Sequence, residues 1–194
     1  MKRLQLLPMV CLLFSLTVLA QEWKEEHPGR PQNRLALKAG YFGELVLHPG
    51  LTVGLDYTVS ENKWLTIHWD TDLGGYRHRW NNSSAFLTSG IGFRIHMGPV
   101  FTDFSLGIGY MHTRPDGVLF EKTENGDVEP ASNRGHSHFM PNSSLQIGLH
   151  PGKNKQQPLK FHFGPEVYLQ SSFNHTYLPH LAAKIGLTYQ LQQP

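Results

Sequence analysis

The chain has 194 residues, with 17 Lys+Arg, 15 Asp+Glu and one cysteine. A formal net charge of +2 excludes the strong positive field that recruits nucleic acid, and a single cysteine excludes an internal disulfide. One domain is expected at this length.

The first twenty residues read as an export signal. Lys2 and Arg3 give a positive start, and Leu4 to Ala20 is apolar except for Gln5, Ser15 and Thr17. Val18 and Ala20 supply the small residues that signal peptidase reads, so cleavage before Gln21 is expected. A membrane anchor fits less well, because Pro8 interrupts a short run and no basic stop-transfer cluster follows. Lipidation at Cys11 is disfavoured by the bulky Val10 before it and by the apolar run that continues past it. Cleavage removes Cys11, Lys2 and Arg3, so that 17 − 2 = 15 basic residues face 15 acidic ones. Residues 21–34 then form an N-terminal segment on the periplasmic side, and 35–191 form the folded domain.

Period-two alternation recurs eight times along that domain, each run reading as a strand. The first, 35–47, sets Leu35, Leu37, Ala39, Tyr41, Gly43, Leu45 and Leu47 against Lys38, Gly40, Phe42 and Glu44, and a turn is expected at His48-Pro49-Gly50. The second, 51–59, sets Leu51, Val53, Leu55, Tyr57 and Val59 against Thr52, Gly54, Asp56 and Thr58, before a turn at 60–63. The third sets Leu65, Ile67, Trp69 and Leu73 against Thr66, His68, Asp70 and Asp72, with a polar loop at 74–84. The fourth sets Leu87, Ile91, Phe93 and Ile95 against Thr88, Gly90, Gly92 and Arg94, before a turn at 96–99.

The fifth run sets Val100, Phe104, Leu106, Ile108 and Tyr110 against Asp103, Ser105, Gly107 and Gly109, and a long polar loop is expected over 113–137. The sixth sets Phe139, Leu145, Ile147 and Leu149 against Asn142, Ser144, Gln146 and Gly148, with a turn at 150–158. The seventh sets Leu159, Phe161, Phe163, Val167 and Leu169 against Lys160, His162, Gly164, Glu166 and Gln170, with a loop at 171–179. The eighth sets Leu181, Ala183, Ile185, Leu187, Tyr189 and Leu191 against Lys184, Gly186, Thr188 and Gln190.

The placement of charge separates a membrane barrel from a soluble one. No Asp, Glu, Lys or Arg lies on the apolar face of any run. The other face mixes Gly, Ser and Thr with Lys38, Glu44, Asp56, Asp70, Asp72, Arg94, Asp103, Lys160, Glu166 and Lys184. Small residues with balanced charge suit the inside of a narrow barrel, and an apolar outside suits lipid. A lipocalin-like barrel would need the reverse. Closure leaves no unpaired strand edge in the bilayer. Aromatic girdles are expected at Tyr57, Phe93, Phe161 and Tyr189 on one rim, and at Trp69, Tyr110 and Phe139 on the other.

In this pattern, and in the closing Gly186-Leu187-Thr188-Tyr189-Gln190-Leu191, the chain resembles the small outer-membrane β-barrels of the OmpA/OmpX type from Gram-negative bacteria. The resemblance spans 35–191. It implies an all-β, eight-stranded antiparallel up-and-down transmembrane barrel with periplasmic termini. It implies outer-membrane lipid and lipopolysaccharide as surroundings, and barrel-assembly machinery that reads the last strand. The chain departs from the type in running on to Gln192-Gln193-Pro194.

Interior charges need partners. Glu166 with Lys184, Asp56 with His68, and Arg94 with Asp103 flank their connections nearly symmetrically and are expected to pair. A packed interior of this size leaves no wide channel, which argues against a diffusion pore or a transporter. Among the 12 histidines, His112, His136 and His138 come closest to a metal set, but no Cys or Glu completes a recognisable spacing. No metal and no cofactor is expected. Ser137 follows His136 directly, so the two point to opposite faces and do not form a nucleophile–base pair. A constellation drawn from different strands, such as Ser143 with His112, stays open.

The favoured function is therefore non-enzymatic: a barrel that presents surface loops for binding, adhesion or membrane integrity. The alternative is a lipid-A-modifying enzyme, a deacylase or acyltransferase. Candidate binding residues lie in the long loop, where Asp116, Glu121, Glu124, Asp127 and Glu129 face Arg114, Lys122 and Arg134. The surface ligand is left unnamed by this pattern.

Overall fold

The computed structural model describes residues 34–79, 81–122, 127–151, 158–173 and 176–191. The expected signal over 1–20, the segment 21–33, Glu124 and most of the 150–158 turn lie outside the described residues. The strands are β1 (Leu35–Glu44), β2 (His48–Glu61), β3 (Leu65–His78), β4 (Asn82–Met97), β5 (Val100–Pro115), β6 (Leu119–Lys122), β7 (Val128–Ala131), β8 (His136–Phe139), β9 (Asn142–Leu149), β10 (Leu159–Phe173) and β11 (Thr176–Gln190).

Each long strand pairs antiparallel with its neighbours in chain order, and β11 returns to β1 from Ala36↔Gln190 to Glu44↔Ala182. β8 and β9 both pair with β5 and share one place in the wall. Met140 and Pro141 interrupt that stave, as a residue without an N–H must. Met140 N–H still bonds Gly109 O at 2.8 Å, and Pro141 O accepts from Leu169 N–H at 2.9 Å. The result is an eight-stranded antiparallel up-and-down barrel. β6 and β7 form a separate two-stranded hairpin.

The side chains are distributed inside out relative to a soluble barrel. Leu51 is 72% exposed and Ile108 61%, whereas Asp56 is 2% exposed and Glu166 1%. Alternation puts the apolar set on the outer wall and the polar set inside, as lipid outside and a narrow lumen demand.

That distribution gives a depth-dependent expectation. Leu106 stands on the outer wall part-way along β5, and Ile95 on the same wall near the end of β4. Leu106→Arg should destabilise the barrel by about 2–4 kcal/mol, and Ile95→Arg by about 0–1 kcal/mol. Denaturant unfolding in lipid vesicles, followed by tryptophan fluorescence, measures both; equal costs would contradict the depths assigned to the two sites.

The connections are shorter than the sequence suggests. β3 and β4 continue through most of the expected 74–84 loop, leaving 79–81 between them. β10 and β11 likewise take up the 171–179 loop except for 174–175. The first turn is at Leu45–Leu47, not 48–50, with positive φ at Leu45 (46°) and Val46 (67°). Trp69 lies directly across from Tyr57, nine residues short of the end of β3, so it joins the terminal-end girdle and not the opposite one. The two shortened connections, at 74–84 and 171–179, have one cause. Beyond the lipid belt a strand no longer needs an apolar outer face, but its backbone groups still gain by pairing.

Candidate functional site

The interior is built in layers. Towards the terminal end, Arg94 donates from Nε to Asp103 and from Nη2 to Asp56, both at 2.8 Å. Its guanidinium lies 5.1 Å from the centroid of the Phe101 ring. His68 Nε2 is 3.6 Å from Asp103, and Gly92 opposite leaves its ring room, since a Cβ there would lie 2.3 Å from it. The next layer is a chain of opposite charges. Lys38 holds Asp70 at 3.2 Å and Asp72 at 2.9 Å, and Lys184 bridges Asp72 at 3.0 Å and Glu166 at 2.8 Å.

Above these layers, towards the β6–β7 end, lies an apolar plug of Phe42, Tyr76, Phe86, Met111, Met140, Tyr168 and Ala182. Phe42 packs on Phe86 at 4.8 Å and on Tyr76 at 5.9 Å, and Tyr168 donates to the Tyr76 hydroxyl at 3.2 Å. Over the plug, Glu44 bonds both His48 and His180, and His180 stacks on Tyr168 at 4.8 Å. The cavity lined by Lys38, His68, Asp70, Arg94 and His162 measures about 20 Å³. That holds about one water.

The outer wall carries a different feature. Ser137 on β8 stands across from His112 on β5, and its hydroxyl contacts His112 Nδ1 at 3.4 Å and the Tyr110 hydroxyl at 2.6 Å. Ser137 and Tyr110 are exposed, while His112 is half-buried. His138, one residue on, points inward and bonds Ser171 O at 2.7 Å. Among the described residues no group of three or more His, Cys, Asp or Glu is placed to hold a metal ion.

The expected pairs fare differently. Arg94 and Asp103 are direct register partners, and Lys184 reaches Glu166 diagonally, since Lys184 itself lies opposite Gly164. Asp56 lies opposite Asp70, and its ion-pair partner is Arg94 at 2.8 Å across the lumen, not His68. A bulge between Thr58 and Ser60 sets that register. The loop candidates Arg114, Asp116, Glu121, Asp127, Glu129 and Arg134 are all exposed, and of these Glu121 and Glu129 face each other across the hairpin. Sequence reasoning missed the plug, although Phe42, Phe86, Met111 and Tyr168 all stand at polar-face positions. It also missed the Ser137–His112 contact, which counting outward across the 113–137 connection would have found.

No family model and no curated protein sequence matches the chain. Solved structures do. The N-terminal β-barrel domain of Pseudomonas aeruginosa OprF superposes with a TM-score of 0.51 at 10% identity, covering 84% of this chain and 100% of that one. The fold is that of the small outer-membrane β-barrels. The outer-membrane enzyme PagL gives a TM-score of 0.50 at 11% identity, over 80% of this chain and 99% of that one. Neisserial surface protein A gives 0.50 at 8% identity, over 83% and 98%. At such identities the likeness extends to the fold alone. In a barrel of this fold whose described interior is packed, the surfaces open to a partner are the outer wall, the hairpin and the rim.

Proposed function

We propose that the chain is an outer-membrane protein of a Gram-negative bacterium, with both termini in the periplasm, and that it serves as a sealed scaffold presenting a binding surface outside the cell. In this reading residues 1–20 direct export, the barrel-assembly machinery inserts the chain, and lipopolysaccharide surrounds the outer rim. The observation that carries it is the β6–β7 hairpin. It forms its own two-stranded sheet, and Phe120 and Val128 on it, with Val118 just before it, are 64–67% exposed. Apolar side chains left in water on a projecting element mark a contact surface, and loops on a rigid scaffold are where binding residues concentrate.

The barrel should not need this element. Replacing residues 116–134 with a short Gly-Ser linker should leave a barrel that still resists heat in detergent gels. Adhesion of cells that display the protein should fall to background in the same variant. A variant that fails to fold, or one that adheres as well as the intact chain, would overturn the reading.

A further inference from the structure

Three rows of register partners at outward positions cross strands β3, β4, β5 and β8 towards the β6–β7 end. The first is Leu73, Leu87, Tyr110 and Phe139, all apolar or aromatic. The second, two residues further along each strand, is Gly75, Ala85, His112 and Ser137. The third begins with Arg77, Ser83 and Arg114. Successive rows are about 7 Å apart. A lipid standing against this wall has its acyl chains, ester bonds and anionic headgroup in the same order.

The middle row holds the only reactive pairing on that side among the described residues. With Nδ1 unprotonated, the Ser137 hydroxyl donates to His112 and accepts from Tyr110. Gly75 and Ala85 leave open wall beside them. Gly135, at φ +73°, lets the chain pass His112, because a Cβ there would lie 2.7 Å from the ring's Nε2.

We propose that His112, Ser137 and Tyr110 form an ester-hydrolysing site on the outer wall, with an anionic lipid ester as substrate. This goes beyond the scaffold reading and does not depend on the hairpin. Ser137 Oγ attacks the acyl carbonyl carbon and His112 Nδ1 takes the hydroxyl proton. The Tyr110 hydroxyl, freed from Ser137, donates to the oxyanion. Collapse breaks the ester C–O bond, and His112 returns the proton to the departing alkoxide. Water then attacks acyl-Ser137, loses its proton to His112, and releases the fatty acid as Oγ is reprotonated. Arg77 and Arg114 hold the headgroup phosphate.

The full-length barrel, folded in mixed micelles, is tested with two ester-linked anionic probes, dioleoyl phosphatidylglycerol and lipid A, whose comparison separates a glycerophospholipid substrate from an acylated-sugar one. Fatty acid should be released from at least one probe, and Ser137→Ala or His112→Ala should slow release about 10²–10⁴-fold while heat resistance is kept. A fluorophosphonate should add to wild-type protein and not to Ser137→Ala by intact mass. Arg114→Gln should raise KM severalfold with little change in kcat. The proposal is overturned by equal release from wild type and Ser137→Ala, or by no release from either probe together with no adduct.

Discussion

Arg94→Met should lower the stability of the barrel by about 3–5 kcal/mol, the cost of breaking a buried ion pair by removing one partner. Asp56 and Asp103 each receive a 2.8 Å hydrogen bond from this one guanidinium, and all three side chains are buried. Without it, two buried carboxylates lose their common counter-ion, and the cavity beside Asp103, of about 20 Å³, holds little water to solvate them. Denaturant unfolding in lipid vesicles reads the loss. The triple change Arg94→Met, Asp56→Asn, Asp103→Asn should recover much of it, since no uncompensated charge remains. A neutral Arg94→Met would show that these charges reach solvent.

Phe42→Ala should cost about 3–5 kcal/mol by cavity formation. Its ring is fully buried and touches Phe86, Tyr76 and Tyr168, which come from three other strands. Those neighbours are anchored to a closed wall and cannot collapse into the space. The same substitution at Leu37, on the outer wall beside Lys38, should cost much less, because lipid fills the gap. The comparison by vesicle unfolding distinguishes a packed plug from a loosely filled lumen; equal costs would refute the plug.

Much of this fold is legible in the sequence because lipid imposes a strict code. Every second residue from Leu51 to Val59 had to be apolar, and its neighbours had to fit a narrow polar lumen. The code stops where lipid stops. Gly74 to His78 belong to β3 but carry no alternating apolar face, so they read as loop. Partners across the lumen were also illegible. Counting back from a turn finds neighbours in adjacent strands, which is how Arg94 and Asp103 were matched. Asp56 meets Arg94 over the top of β3, and no spacing in the chain encodes that contact. The Ser137–His112 contact is intermediate. It joins neighbouring strands, but across a connection whose length hid their register.

The seam between β1 and β11 has a consequence for how the protein is made. Its register partners, from Ala36 with Gln190 to Glu44 with Ala182, are separated by nearly the whole described chain. No local contact can form it, and closing so long a loop carries an entropic cost before any pairing offsets it. Until β11 arrives, β1 and β10 both expose unpaired backbone edges, and such edges attract other chains. Synthesis runs from β1 to β11, so among these strands the one that completes the ring is made after all the others. The nascent barrel therefore cannot close early, and must be kept apart from its own kind until β11 is available.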